Sequence, residues 1–392
     1  MFKSDIKSKL LVFFAAAVLF SSVIFVGGCN GDSEANYSKK PEEAMKVEKV
    51  SDYLYKTRYD DLDESVYSDT ELIRKFFKIT TAADKGKAFA CSAVVNGNFY
   101  GRNFDFFMGQ DPNFVVWVEG NDKRYASLGV VMMQNVPLAE ADSGELSEDM
   151  KKLLPFVVLD GINEKGVTCN SNYVPKEVEH DSTNPGAKDL PYLTVVRYVL
   201  DNAESAAEAV ELLRGKNLVD KPKISTLHWM IADPKESYVV EVVDNELRVV
   251  KNPEAMTNYY LSVDGYTPHA CGIERMDIIK KGYDKAASVE NMRRLMQSVH
   301  YTQAYKKSTK PFWYSEHYQY DSATGKDYNI NTPMDEMQPH VDEIVQAFSH
   351  CTRDNPDGFW ETVYTSVYDM GKQTMRISLH EDYSKYWDFK LK

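Results

Sequence analysis

An α+β domain is what the order of periodic segments predicts for this chain, an order compatible with two packed β-sheets flanked by helices. Three observations carry that α+β reading. Phe114-Val115-Val116-Trp117-Val118 and Ser237-Tyr238-Val239-Val240-Glu241-Val242-Val243 are β-branched and aromatic runs of strand length. Leu190 to Asn202 and Ser205 to Leu213 carry helical spacing between them, and Ser288 to Val299 is a further amphipathic helix. Strands and helices therefore come in alternating blocks, as in a layered domain rather than a bundle or a simple sandwich.

At the N-terminus, Lys3, Lys7 and Lys9 precede an uncharged run from Leu10 to Val26 that ends Gly27-Gly28-Cys29. A basic start, an apolar stretch and small residues before a cysteine resemble a bacterial lipobox, with residues 1–28 as signal peptide and Cys29 as the acylated residue. A plain transmembrane helix is the rival, but the run is short for one and needs no Gly-Gly-Cys ending. Attachment to the extracytoplasmic face of a bacterial cell membrane follows from acylation. From Asn30 to about Asp52 the composition is polar, the mark of a flexible tether. From Tyr53 to Ile79 apolar residues return. Leu72, Ile73, Phe76 and Phe77 form a stripe on a short helix, which has to dock on the main domain to be stable. Residues 29–90 read as anchor and pro-segment, and 91–392 as the main domain.

Cys91-Ser92-Ala93-Val94-Val95-Asn96-Gly97 reads as a strand entering a turn, with Phe99 to Phe106 as the returning strand. Asn-Gly between alternating apolar residues is a strong hairpin signal. The hairpin brings Arg102 and Asp105 back beside Cys91, so a thiol, a guanidinium and a carboxylate converge. Further along, Ser205-Ala206-Ala207-Glu208 is a capping box opening the second helix of the central block.

Composition narrows the chemistry. The net charge of −13 argues against nucleic acid as a partner. The five cysteines, Cys29, Cys91, Cys169, Cys271 and Cys351, form no CxxC pair and fit no zinc spacing. His269-Ala270-Cys271 and His350-Cys351 are weaker as metal ligands than as unrelated residues, and no metal or cofactor is expected. Cys169 and Cys271 read as small buried hydrophobes. His228, before a tryptophan on a strand, reads as a hydrogen-bonded structural histidine. Nothing in the sequence decides between a monomer and a homo-oligomer.

The hairpin is also the start of a resemblance. Cys91 followed by Gly101-Arg102-Asn103-Phe104-Asp105 is similar to the choloylglycine hydrolase family, which holds bile salt hydrolases, penicillin V acylases and, more distantly, N-acylethanolamine acid amidase and acid ceramidase. In the family's order come Asp160-Gly161-Ile162-Asn163-Glu164-Lys165-Gly166, Leu227-His228-Trp229, Met256-Thr257-Asn258, Arg275 and Thr365-Ser366-Val367-Tyr368-Asp369. The resemblance runs from Cys91 to the C-terminus. It implies the four-layer αββα fold of N-terminal-nucleophile hydrolases and cleavage of a small-molecule linear amide.

It also implies roles. A thiol needs a base, and the α-amine of a Cys91 freed at its N-terminus, with a pKa of about 8, can supply one. Asp105 would orient that amine, and Arg102 would favour the thiolate and help fix Asp105. The Asn258 amide and a backbone N–H of Asn172 or Tyr173 would receive the oxyanion, with Arg275 stabilising the cluster. Counting from Gly166 puts Tyr173 where bile salt hydrolases carry Asn and penicillin V acylases tend to carry Tyr. Bile salts, penicillin V, N-acyl amino acids, fatty-acid amides and acyl-homoserine lactones all remain open as substrates. The reading from a different class is a non-catalytic ligand-binding surface lipoprotein on the same fold.

Overall fold

The computed structural model describes residues 46–76, 91–107, 111–133, 136–174, 181–182, 184–221, 226–264, 272–300, 319–321, 326–328 and 360–392. By packing the chain divides into Met1–Glu43 and Ala44–Lys392, and all described residues belong to the second unit. The apolar run Leu10–Val26, Cys29, Phe77 to Ala90, Cys271 and Cys351 lie outside the described residues. Among the described residues no helix is long and apolar enough to cross a membrane.

The N-terminal part forms β1 (Glu48–Ser51), β2 (Leu54–Tyr59) and α1 (Thr70–Phe76). The hairpin comes next as β3 (Cys91–Asn96) and β4 (Phe99–Phe107), then β5 (Asn113–Val118), β6 (Ser127–Met132), α2 (Leu138–Ser143) and α3 (Glu148–Leu153). After these lie β7 (Asp160–Asn163), β8 (Thr168–Tyr173), β9 (Lys188–Pro191), α4 (Val195–Asn202), α5 (Ala206–Arg214) and β10 (Lys216–Val219). The chain continues with β11 (Leu227–Ala232), β12 (Ser237–Val243), β13 (Glu246–Lys251), β14 (Ala255–Met256), α6 (Ile273–Gly282) and α7 (Val289–Ser298). It ends with a small pair β15 (Gln319–Asp321) and β16 (Lys326–Tyr328), then β17 (Trp360–Asp369), β18 (Thr374–Leu379) and β19 (Trp387–Lys390).

Nine strands make one sheet in the order β1-β2-β5-β6-β7-β8-β11-β12-β13, and six make the other in the order β14-β3-β4-β17-β18-β19. Three apolar cores separate four layers. The first joins the nine-stranded sheet to the helices α1 to α5, through residues such as Ile73, Met150, Val199 and Leu213. The second lies between the sheets and holds Cys91, Tyr100, Phe104, Val130, Met230 and Tyr364. The third joins the six-stranded sheet to α6 and α7, through Met276, Ile279, Met292 and Met296. This is the αββα arrangement. It explains why β5, β11 and β12 are buried at every position rather than at alternate ones, because both faces are covered.

The expected elements fall close to their places, with three corrections. The helix expected over Leu190–Asn202 starts only at Val195; Lys188–Pro191 is a strand instead, because Pro191 cannot sit in a helix interior and β10 offers a parallel partner. In α5, Ser205 Oγ accepts from Glu208 N at 3.2 Å as a capping box requires, but the Glu208 carboxylate takes the N–H of Glu204 rather than that of Ser205. The stretch to Asp52 is not all tether: Glu48–Ser51 pairs with β2, and Val47 is buried. Leu54 and Tyr55 are fully buried, and β2 pairs in parallel with β5 from Leu54↔Asn113 to Tyr59↔Val118. The segment before Cys91 thus shares its cores with the residues after Cys91, and packing puts no boundary there.

Candidate active site

The Asn96-Gly97 turn closes β3 onto β4, with Gly97 at a φ of 56°, in the left-handed region that such turns use. The register pairs Cys91 with Phe104 and Ala93 with Arg102. Paired residues share a face, so Cys91, Arg102 and Phe104 point between the sheets, and Asn103 and Asp105 point toward α6 and α7. The Cys91 side chain is 3% exposed. Its Sγ lies 3.9 Å from the carbonyl oxygen of Asp105. Burial pushes the thiol up, while Arg102 and then Arg275 pull it back and the Asp105 carboxylate adds to the rise. A thiol so placed is protonated at rest and needs a base to react.

The Cys91 nitrogen, a peptide N–H in the uncut chain, donates to Asn258 Oδ1 at 2.6 Å. The same oxygen accepts from Arg275 Nη2 at 2.8 Å, and Asn258 Nδ2 donates to the Tyr173 carbonyl at 2.7 Å. Two donors on one atom fix which end of the amide is oxygen. Arg275 Nη1 continues to Asp105 Oδ2 at 2.9 Å, and Asp105 Oδ1 accepts from Thr362 Oγ1 at 2.5 Å. Thr362, Asp105, Arg275 and Asn258 therefore form a buried chain that ends on the Cys91 nitrogen. Arg275 sits in the first turn of α6, whose cap residue Gly272 has a φ of 133°. A Cβ there would collide with Thr257 Oγ1 and lie 2.8 Å from Thr257 Cβ, so only glycine lets the helix approach the Asn258 segment this closely.

Arg102 departs from expectation. It does not fix Asp105; its ion pair is with Asp160, at 3.3 Å, and it donates to the Tyr364 hydroxyl at 2.6 Å and the Ser171 carbonyl at 2.7 Å. The physical reason is strand alternation: residues 102 and 105 point to opposite faces. Asp105 is left to Arg275. Asp160 is a hub, accepting also from the hydroxyls of Tyr364 at 2.7 Å, Tyr368 at 3.0 Å and Ser366. Burial drives both phenols far above their ordinary range, so they remain donors.

Asn172 and Tyr173 do come to the site. The Asn172 side chain accepts from Asn170 Nδ2 at 2.8 Å and reaches the carbonyls of Met256 and Thr257 at 3.4 Å each. It braces the Asn258 segment. The Tyr173 ring packs on the helix-side core; what faces Asn258 is its backbone. A strand residue's N–H and C=O point the same way, so the Tyr173 N–H is directed to the side where Asn258 and Cys91 stand. Cys169 is buried, with its thiol pushed up by burial, as an inert core cysteine would be.

Residue-by-residue reading misses Thr362, Asp160 and the hydroxyls of β17 as site residues. The alternation Tyr364, Ser366, Tyr368 does signal a polar row on one face. Thr362 is harder to foresee: β17 slips register between Thr362 and Tyr364, which turns Thr362 to the Asp105 side.

The four layers, with a buried cysteine opening a strand of the inner sheet and its nitrogen held by an amide, define the N-terminal-nucleophile hydrolase fold. Residues 91–262 match the family described as linear amide C-N hydrolases, choloylglycine hydrolase family. Over 100 residues the chain is 36% identical to a bile salt hydrolase/transferase of Clostridium perfringens, covering 24% of this chain and 30% of that one. Over 219 residues it is 22% identical to the bile salt hydrolase/transferase of Lactiplantibacillus plantarum, covering 48% of this chain and 62% of the other. The matches thus span less than two thirds of both curated relatives. A mutant conjugated bile acid hydrolase from Clostridium perfringens aligns in structure with a TM-score of 0.44 at 18% identity, over 77% of this chain and 92% of that one. Penicillin V acylase from Agrobacterium tumefaciens aligns with a TM-score of 0.36 at 16% identity, over 74% and 82%.

Proposed function

We propose that this chain hydrolyses a carbon-nitrogen bond in a small linear amide, of the bile salt or penicillin V type, with Cys91 as nucleophile. The observation that carries the proposal is the buried Cys91 whose nitrogen meets Asn258 Oδ1 at 2.6 Å, at the end of the Arg275–Asp105 chain. In the uncut chain the thiol attacks the Ala90 carbonyl carbon. The Ala90–Cys91 bond breaks, the nitrogen takes a proton, and water hydrolyses the resulting thioester. The freed α-amine then accepts the thiol proton as Sγ attacks a substrate amide, and returns it to the departing amine. Water, deprotonated by the same amine, releases the acyl group. Asn258 and the Tyr173 N–H serve the oxyanion, and Arg102 opposes the cost of burying a thiolate. On this reading residues 1–28 are a lipoprotein signal peptide and acylated Cys29 anchors the protein at the extracytoplasmic face of the membrane.

A product-release panel tests the activity: conjugated bile salts, penicillin V, N-acyl amino acids, fatty-acid amides and acyl-homoserine lactones, each with wild type and Cys91→Ser. Turnover of at least one amide that falls to background in Cys91→Ser, with the melting temperature kept, is expected. Residual turnover near wild type would remove Cys91 from the mechanism. Saturable binding of an amide with no turnover would give the ligand-binding reading instead.

A further inference from the structure

We propose that His228 and Glu241 are positioning residues that hold Asn258 in register against Cys91, an inference that rests on the proposed function. His228 on β11 and Glu241 on β12 face the space between the sheets, and both are fully buried. His228 Nδ1 stands 3.2 Å from Glu241 Oε1, and Nε2 stands 2.8 Å from the carbonyl oxygen of Thr257. The Glu241 carboxylate stands at one ring nitrogen and the Thr257 carbonyl at the other, so the imidazole bridges the two. Glu241 accepts in addition from the backbone N–H of Leu261 at 2.8 Å and of Ser262 at 2.9 Å. Burial pushes the Glu241 carboxyl up, but the hydrogen bonds from His228, Ser262 and Leu261 outweigh it and leave the group below its usual range.

Among the described residues, every side-chain hydrogen bond of this pair beyond the pair itself goes to one segment, Thr257 to Ser262. The pair grips that segment at both ends, from the opposite sheet, with Asn258 next to the first grip. Thr257 O also receives the Asn172 amide, so two side chains of the nine-stranded sheet converge on the carbonyl preceding Asn258. A buried polar pair gives little net stability over an apolar pair of the same size. It does give direction: hydrogen bonds at Thr257 and at Leu261 and Ser262 fix where the Asn258 segment sits, and a displacement of about 1 Å at a catalytic group can cost about 10²-fold in rate.

The test is a double-mutant cycle on purified full-length protein, with the amide that the panel identifies. His228→Gln is made in wild type and in Asn258→Ala, and kcat, KM and the cut fraction on denaturing gels are measured. If His228 acts through Asn258, His228→Gln lowers kcat about 10-fold or more in wild type with KM within a few-fold, slows the cut, and has little further effect in Asn258→Ala. An equal loss in both backgrounds, or a change confined to KM, overturns the proposal. Glu241→Gln, which keeps the side-chain volume, runs the same cycle where His228→Gln yields too little folded protein. Failure of the functional reading shows separately, as activity that survives Cys91→Ser.

Discussion

Asn258 is the residue on which the site turns, because it touches three partners with two atoms: its oxygen takes the Cys91 nitrogen and Arg275, and its nitrogen reaches Tyr173. Removing the amide removes the proposed oxyanion donor and the oxygen that Arg275 Nη2 and the Cys91 nitrogen share. Asn258→Ala should therefore lower kcat by about 10²–10³, the usual cost of one such donor, and slow the Ala90–Cys91 cut in step. Steady-state kinetics with the identified amide check this. If only KM rises, Asn258 binds substrate and does not serve the transition state. The sequence singles out Cys91, Arg102, Asp105, Asn258 and Arg275 through the resemblance that the ordered motifs carry, and the structure brings Cys91, Asn258, Arg275 and Asp105 into one connected chain. Their pairing is not legible in the sequence. That Arg102 belongs to Asp160 and Arg275 to Asp105 depends on which face of β4 each projects from, and on a helix far along the chain.

Among the elements, α6 carries the most consequence for the site, since it brings Arg275 to Asp105 and Asn258 by way of a glycine that no other residue can replace. Gly272→Ala would drive a Cβ into Thr257 Oγ1 at a φ of 133°. Backbone strain of this kind costs about 1–3 kcal/mol, and the contact would push on the residue next to Asn258. The expected outcome is a lowered melting temperature together with a loss of kcat. A variant that melts lower but turns over normally would mean that α6 relaxes without moving Asn258. Elements whose signals are local are readable from sequence: the Asn96-Gly97 hairpin, the Ser205 cap, the amphipathic helix after Ser288, and the apolar strand of Ser237–Val243. The strand at Lys188–Pro191 is not. Its partner β10 lies beyond two helices, and tertiary pairing overrides the helical spacing seen locally. The layer order also exceeds what periodicity can say, because a strand buried on both faces and a buried helix look alike in an apolar run.

At the scale of the whole molecule, the segment before Cys91 is part of the fold that the cut would divide. The sequence points to the stripe Leu72, Ile73, Phe76, Phe77 as its docking face. Ile73 is indeed fully buried and Leu72 packs beside it, with Phe77 outside the described residues. The main attachment is a different one: β2 extends the nine-stranded sheet through a six-residue parallel ladder to β5. Leu54 enters the core between the sheets, and Tyr55, Val66 and Ile73 enter the helix-side core. Each such side chain contributes about 1.5–3 kcal/mol when fully buried, and the ladder carbonyls and N–H groups would otherwise face water as an open edge. Cutting Ala90–Cys91 removes none of these contacts. Denaturing gels of the mature protein should show a small N-terminal fragment and a large one beginning at Cys91, and native purification should keep the two together. Leu54→Asp, which sets a charge between the sheets, should free the large fragment. A large fragment that purifies alone from wild type would end the proposal of retention while leaving the cut intact. A single uncut chain with full activity would end both the cut and the role of the α-amine.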